Sequence, residues 1–86
     1  MWRVLVKREA RNTITRMDRP MRERVERAIE AVAHDPFAGD VVPIEGGLPG
    51  EYRRRIGGWR ILYRVDVASQ TVTIYRVRPR GDVYGR

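Results

Sequence analysis

An α+β fold, in the order β-α-α-β-β-β with a helical hairpin packed on one face of a small, mainly antiparallel sheet, follows from three features of this 86-residue sequence. Glu51 to Val65, EYRRRIGGWRILYRV, reads as a β-hairpin around Gly57-Gly58, since a two-residue glycine loop suits a tight primed turn. Met21 to Val32 carries an apolar stripe at helical spacing. Both ends of the chain show two-residue alternation, the mark of strands.

In chain order, Trp2, Val4 and Val6 alternate with Arg3, Leu5 and Lys7. This is a strand whose Leu5 asks for burial on its second face. Arg8 to Met17 places Ala10, Ile14 and Met17 on one helical face. Asn12, Thr13 and Thr15 are poor helix formers, so packing must hold that helix. Asp18-Arg19-Pro20 is a break and a restart, with Asp18 at the N-cap and Pro20 in the first turn. The second helix then buries Met21, Val25, Ala28, Ile29 and Val32, pairs Glu23 with Arg27 at i, i+4, and ends near His34. Asp35 to Gly50 is dense in Pro and Gly and reads as a loop, pinned to the core by Phe37 and Ile44.

In the hairpin, a Gly57-Gly58 loop sets Ile56 opposite Trp59, Arg55 opposite Arg60 and Arg53 opposite Leu62. Residues directly opposite share a face. One face then carries Tyr52, Ile56, Trp59, Ile61, Tyr63 and Val65 and belongs to the core. Arg54 falls at its rim. The other carries Arg53, Arg55, Arg60 and Arg64 around Leu62. After a turn at Asp66 to Thr71, a last strand over Thr71 to Val77 pairs Val65 with Val72, Arg64 with Thr73, Tyr63 with Ile74 and Leu62 with Tyr75. Pro79 stops that ladder.

Residues 1 to 50 hold nine basic and eight acidic side chains, whereas 51 to 86 hold nine basic and three acidic, so the net charge of +7 sits on the C-terminal strands. Seventeen of the eighteen basic residues are Arg, whose planar fork suits phosphate and which holds its proton too tightly to act as an ordinary base. Like charges facing each other on a sheet repel, so an anionic partner accounts for Arg55 against Arg60. There is no cysteine and one histidine, His34, so neither a disulfide nor a thiolate zinc site is available. No apolar run approaches the roughly 20 residues of a membrane span. A single cytoplasmic domain over 1–86, with no cofactor and no metal, is expected.

The ordered set Ile44-x-Gly46, Tyr52-Arg53-x-Arg55-Ile56, Gly58-Trp59-Arg60-Ile61-Leu62-Tyr63-x-Val65-Asp66, Val77-x-x-Arg80 and Asp82-Val83-Tyr84 resembles the RelE/ParE superfamily of toxin–antitoxin toxins, and within it the RelE-like branch. The resemblance implies a metal-independent messenger-RNA endoribonuclease acting in the ribosomal A site, where the RNA 2′-hydroxyl attacks its adjacent phosphate. It implies Arg53 and Arg55 as basic strand positions, Arg60 on the scissile phosphate, Arg80 near the leaving 5′-oxygen and Tyr84 on the substrate base. It also implies a cognate antitoxin, through which the complex would reach operator DNA, and no membrane. The chain departs from the pattern in two places. Arg stands where other members use Lys, Glu or His for proton transfer, and Pro79 lies near a common His position. Glu51 and Glu45 are the carboxylates available as bases. The alternatives are a ParE-like poison of DNA gyrase, a decayed toxin that only binds its antitoxin, and a general basic RNA-binding module.

Overall fold

The computed structural model describes residues 1–79. Its elements are β1 (Arg3–Val6), α1 (Arg8–Thr15), α2 (Arg19–His34), β2 (Val41–Pro43), β3 (Glu51–Ile56), β4 (Trp59–Asp66) and β5 (Thr71–Pro79). The strands form one mixed sheet in the order β1-β5-β4-β3-β2, with β1 and β5 parallel and the other neighbours antiparallel. Both helices pack on one face. Ala10, Ile14 and Met17 from the first helical segment and Val25, Ala28 and Val32 from α2 meet Ile56, Ile61, Tyr63, Val65, Val72, Ile74 and Val77. Fully burying such an aliphatic side chain stabilises by about 1.5–3 kcal/mol. Arg22 ties the helical hairpin together, its Nη1 donating to the carbonyl of Met17 at 3.3 Å.

The expected hairpin is present residue for residue: Ile56 faces Trp59, Arg55 faces Arg60 and Arg53 faces Leu62. Gly57 sits at φ +56°, as the first residue of a primed turn requires. Tyr63 is wholly buried, and its hydroxyl donates to the carbonyl of Pro36, also buried. This contact ties the 35–40 segment to the core. Phe37 meets Trp2 and Tyr52 edge-on but stays 46% exposed.

The structure corrects five local expectations. The 35–50 segment is not all loop: Val41–Pro43 adds a short edge strand to β3, pairing with Arg54, Arg53 and Tyr52. Pro43 is compatible because an edge strand has one side with no ladder to donate to. Leu5 is 50% exposed, because among the described residues no second layer covers the other face of the sheet. Glu23 pairs with Arg19, Nε to Oε2 at 3.1 Å, rather than with Arg27. Asp18 takes the N-cap position with extended backbone but makes no side-chain capping bond.

The fifth correction matters most for the site. A bulge between Leu62 and Tyr63 sets Leu62 opposite Arg76, not Tyr75, while Tyr63 still faces Ile74. The inserted residue on β5 is Tyr75. A bulge places two residues against one and shifts the alternation beyond it. Strict alternation from Val72 and Ile74 would have sent Arg76 and Arg78 toward the helices. The bulge turns them to the open face and gives Val77 to the core, where it is 3% exposed.

Candidate functional site

The open face of the sheet is built in rows by the strand registers. Arg55 on β3, Arg60 on β4 and Arg78 on β5 are directly opposite one another in sequence across three strands. With neighbouring strands about 4.8 Å apart, their Cα atoms span roughly 10 Å. The next row is Val42, Arg53, Leu62 and Arg76. A third holds Glu51, Arg64 and Thr73. Arg53, Arg60 and Arg78 are half-buried, with Leu62 as a partly covered apolar floor between them.

Carboxylates stand at the rim of this face. Asp40 Oδ2 lies 3.3 Å from Arg55 Nε, Glu51 Oε2 lies 3.2 Å from Arg64 Nη2, and Glu9 Oε2 lies 3.4 Å from Arg76 Nε. Arg53 and Arg78 form no ion pair among the described residues. Carboxylates thus partner Arg55, Arg64 and Arg76 round the rim of the face. Arg64 also lies over the Tyr75 ring, 5.3 Å from its centroid. Burial, and then the charge of Glu51, raises the Tyr75 pKa, so that hydroxyl remains a hydrogen-bond donor. On the other face, Arg54 Nη1 donates to the carbonyl of Ala38 at 3.0 Å, the rim position its phase implies.

The structure therefore brings Arg53, Arg55 and Arg60 onto one face, as the alternation predicts. Arg80 and Tyr84 lie outside the described residues. β5 ends at Pro79 opposite Trp59, at the same end of the sheet as the Arg55–Arg60–Arg78 row. For Arg78 the sequence leaves a solvated and an RNA-backbone role equally open; the bulge, whose only sequence signal is the phase change between Ile74 and Val77, sets it opposite Arg60. One residue escaped sequence reasoning. Asp40 lies in a turn far from the strands in sequence and carries no motif; it both ion-pairs Arg55 and accepts its backbone N–H at 3.2 Å.

Glu51 is not placed as a base for this row. It faces Arg64, four residues along β4 from Arg60, which is roughly 13 Å at strand rise. Its other oxygen accepts from the Leu48 N–H at 3.3 Å, and the side chain is 12% exposed. Glu51 anchors the 44–50 loop. Glu45 is an exposed residue of that loop. Among the described residues no three His, Cys, Asp or Glu side chains converge as metal ligands would, and no helix is long and apolar enough to cross a membrane.

Chemically, three guanidinium groups in a row with a fourth beside them can bind a phosphate and stabilise charge that develops on it. They offer no proton acceptor at neutral pH.

The profile of the ParE toxin of type II toxin–antitoxin systems, parDE, matches residues 4–84. Toxin RelG of Mycobacterium tuberculosis is 43% identical over 44 residues, covering 51% of this chain and 51% of that protein, so the match spans about half the length of that relative. Among solved structures, a chain of the archaeal RelE–RelB complex from Pyrococcus horikoshii superposes with a TM-score of 0.82 at 22% identity, covering 93% of this chain and 96% of that one. A chain of the RelBE2 toxin–antitoxin complex from Mycobacterium tuberculosis gives 0.77 at 29% identity, covering 92% and 98%. The isolated E. coli RelE toxin gives 0.80 at 19%, covering 98% and 92%. At 22% and 19% identity the likeness is one of fold.

Proposed function

This chain belongs to the ParE toxin family of type II toxin–antitoxin systems, within the RelE/ParE superfamily, and we propose that it is a messenger-RNA endoribonuclease acting on the ribosome. The observation that carries the reading is the Arg55–Arg60–Arg78 row with Arg53 beside it. A surface that sets arginines directly opposite one another on three neighbouring strands is suited to a polyanion.

The chemistry is transesterification within the RNA. The 2′-oxygen bonds to phosphorus while the bond to the 5′-oxygen breaks. The 2′-hydroxyl gives up a proton, the departing 5′-oxygen takes one up, and a 2′,3′-cyclic phosphate remains. Negative charge grows on the phosphate oxygens in the transition state, and guanidinium groups fixed by their strands stabilise that charge more than the ground state. Arg60, central in the row, holds the scissile phosphate, and Arg53 and Arg55 hold its flanks. Arg80 at the leaving oxygen and Tyr84 on the base complete the assignment. Need for a 2′-hydroxyl selects RNA over DNA. Alignment of that hydroxyl with the leaving oxygen supplies much of the rate. With no base in the row, the ribosome is the natural source of alignment and proton transfer.

Relatives in RelE–RelB and RelBE2 complexes support pairing with a cognate antitoxin. The antitoxin would cover the basic face and carry the pair to operator DNA. Action on the ribosome makes the protein cytoplasmic.

Primer extension on ribosomes programmed with messenger RNA tests the reading. New stops within the A-site codon, lost with Arg60→Ala, are expected. A second reading is poisoning of DNA gyrase, favoured by the match to a ParE profile. Gyrase poisoning needs no phosphate site, so inhibition of supercoiling without RNA cuts, unchanged in Arg60→Ala, would replace the nuclease with it.

A further inference from the structure

A second group of arginines lies round the edge of β3 from the row. Arg24 and Arg27 project from α2 at i, i+3 and so share one helix face. Arg54 and Arg55 are consecutive on β3 and point to opposite faces of the sheet. With Ala28 and Gly57 they line a recess of about 340 Å³, and no carboxylate lines it. Strand β2 pairs only with Tyr52 to Arg54, so the end of β3 is left beside α2.

The recess is a built feature. Arg54 is held from behind, with Nη1 donating to the Ala38 carbonyl, and it packs so closely on Gly39 that a Cβ there would lie 2.8 Å from Nη1. Arg24 reaches over the hairpin tip, where a Cβ on Gly57 would lie 3.2 Å from its Nη1. Arg55 uses only Nε for Asp40. Of the four guanidinium groups bordering this open recess only Arg55 has a carboxylate partner among the described residues, so an entering anion would relieve the repulsion among the others.

The volume corresponds to about ten waters, which a phosphate and its sugar would displace. Arg55 belongs both to this recess and to the row on the open face, so an anionic chain lying on the row passes from one to the other at Arg55, beside its partner Asp40.

We propose that the recess formed by Arg24, Arg27, Arg54 and Arg55 is a second phosphate site, which grips the backbone of single-stranded RNA to one side of the phosphate held by Arg60. The inference rests on the reading that the open face binds RNA. It adds grip and register rather than chemistry. Arg24 and Arg27 are exposed on α2, whose buried face is Val25, Ala28 and Val32, so their replacement leaves the core intact.

The test is equilibrium binding of a fluorescent single-stranded RNA, 2′-O-methylated so that it cannot be cut, across a salt series. Wild type is compared with Arg24→Ala/Arg27→Ala and with Arg24→Lys/Arg27→Lys. Each phosphate contact contributes about 0.7 to the slope of log affinity against log salt for single strands. The alanine pair is expected to weaken binding and flatten the slope by about 1.4, and the lysine pair to keep most of the slope. Wild-type binding with an unchanged slope in the alanine pair overturns the second site and leaves the RNA reading standing. No binding by wild type overturns both. Loss of affinity for poly-glutamate, with RNA binding unchanged, assigns the recess to an acidic protein and also overturns the proposal.

Discussion

Arg78 stands directly opposite Arg60 across β4 and β5, so the arginine at the centre of the basic face has a second arginine beside it that strand alternation alone would have placed among the helices. On the proposed nuclease reading, Arg78 joins Arg60 in holding the phosphate. Removing one preorganised donor to a developing oxyanion costs about 10²- to 10³-fold in rate. Arg78→Ala and Arg60→Ala are each expected to fold normally and to slow single-turnover cleavage on programmed ribosomes by that factor. Arg80→Ala is likewise expected to abolish growth arrest on induction. Wild-type cutting by Arg78→Ala would remove that residue from the site.

Rim and centre should behave differently. Arg64 is paired with Glu51 at 3.2 Å and lies over Tyr75, some distance along β4 from the row. Arg64→Ala is expected to change cleavage by less than about threefold and to lower stability by about 0–1 kcal/mol, the range of an exposed ion pair. Urea denaturation beside the cleavage assay separates the two effects. A hundredfold loss of cleavage in a stable Arg64→Ala protein would move the site toward Glu51.

Tyr63 tests the tie between sheet and loop. Tyr63→Phe leaves the buried Pro36 carbonyl without its donor, at a cost of about 1–3 kcal/mol. Burial pushes the Tyr63 hydroxyl up to about 12 against the opposing pull of Arg54, with Tyr52 and Asp35 adding to the rise. A pKa raised on folding gives stability that is complete below the unfolded value, near 10, and is lost as the pH climbs through the folded value. The urea midpoint should therefore fall between pH 10 and 12 in wild type and fall less in Tyr63→Phe. Parallel pH curves for the two proteins would contradict this.

The hairpin tip offers a backbone test. Gly57 holds φ +56°, and a Cβ there would also press on Arg24. Gly57→Ala is expected to lower stability by about 1 kcal/mol or more. Gly58 has open space around it, and Gly58→Ala should cost less. Equal losses by thermal or urea unfolding would argue against a strained position at Gly57.

Much of this was legible from residue spacing. The Gly57-Gly58 loop fixes the register of β3 on β4, because a two-residue loop leaves one way to pair the flanking residues, and with the register come the faces of Arg53, Arg55 and Arg60. The stripe from Met21 to Val32 needs only helical periodicity. What escaped depends on contacts remote in sequence. The bulge at Tyr75 arises where β5 must serve both the core and the open face, and apolar alternation cannot announce one extra residue. Val41–Pro43 is too short and too close to turn residues to stand out as a strand without β3 beside it. Leu5 reads as buried because an apolar residue on a strand usually is; its exposure follows from its place on an edge strand, on the face that the helices do not cover and no other described layer does.

That sheet order also has a consequence in time. β5, the last of the described strands to be synthesised, lies between β4 and β1, and β1 has no other neighbour in the sheet. Arg3 waits for Thr71 and Val6 for Ile74. Such distant pairing makes a sheet slow to close. On a translating ribosome the hairpin of β3 and β4 can form early, but the first strand stays unseated until the fifth has emerged. The three-arginine row is finished by that same strand. A nascent chain halted before Arg78 therefore has neither its full sheet nor its full arginine row, and on the proposed reading it cannot act until that strand has emerged and paired.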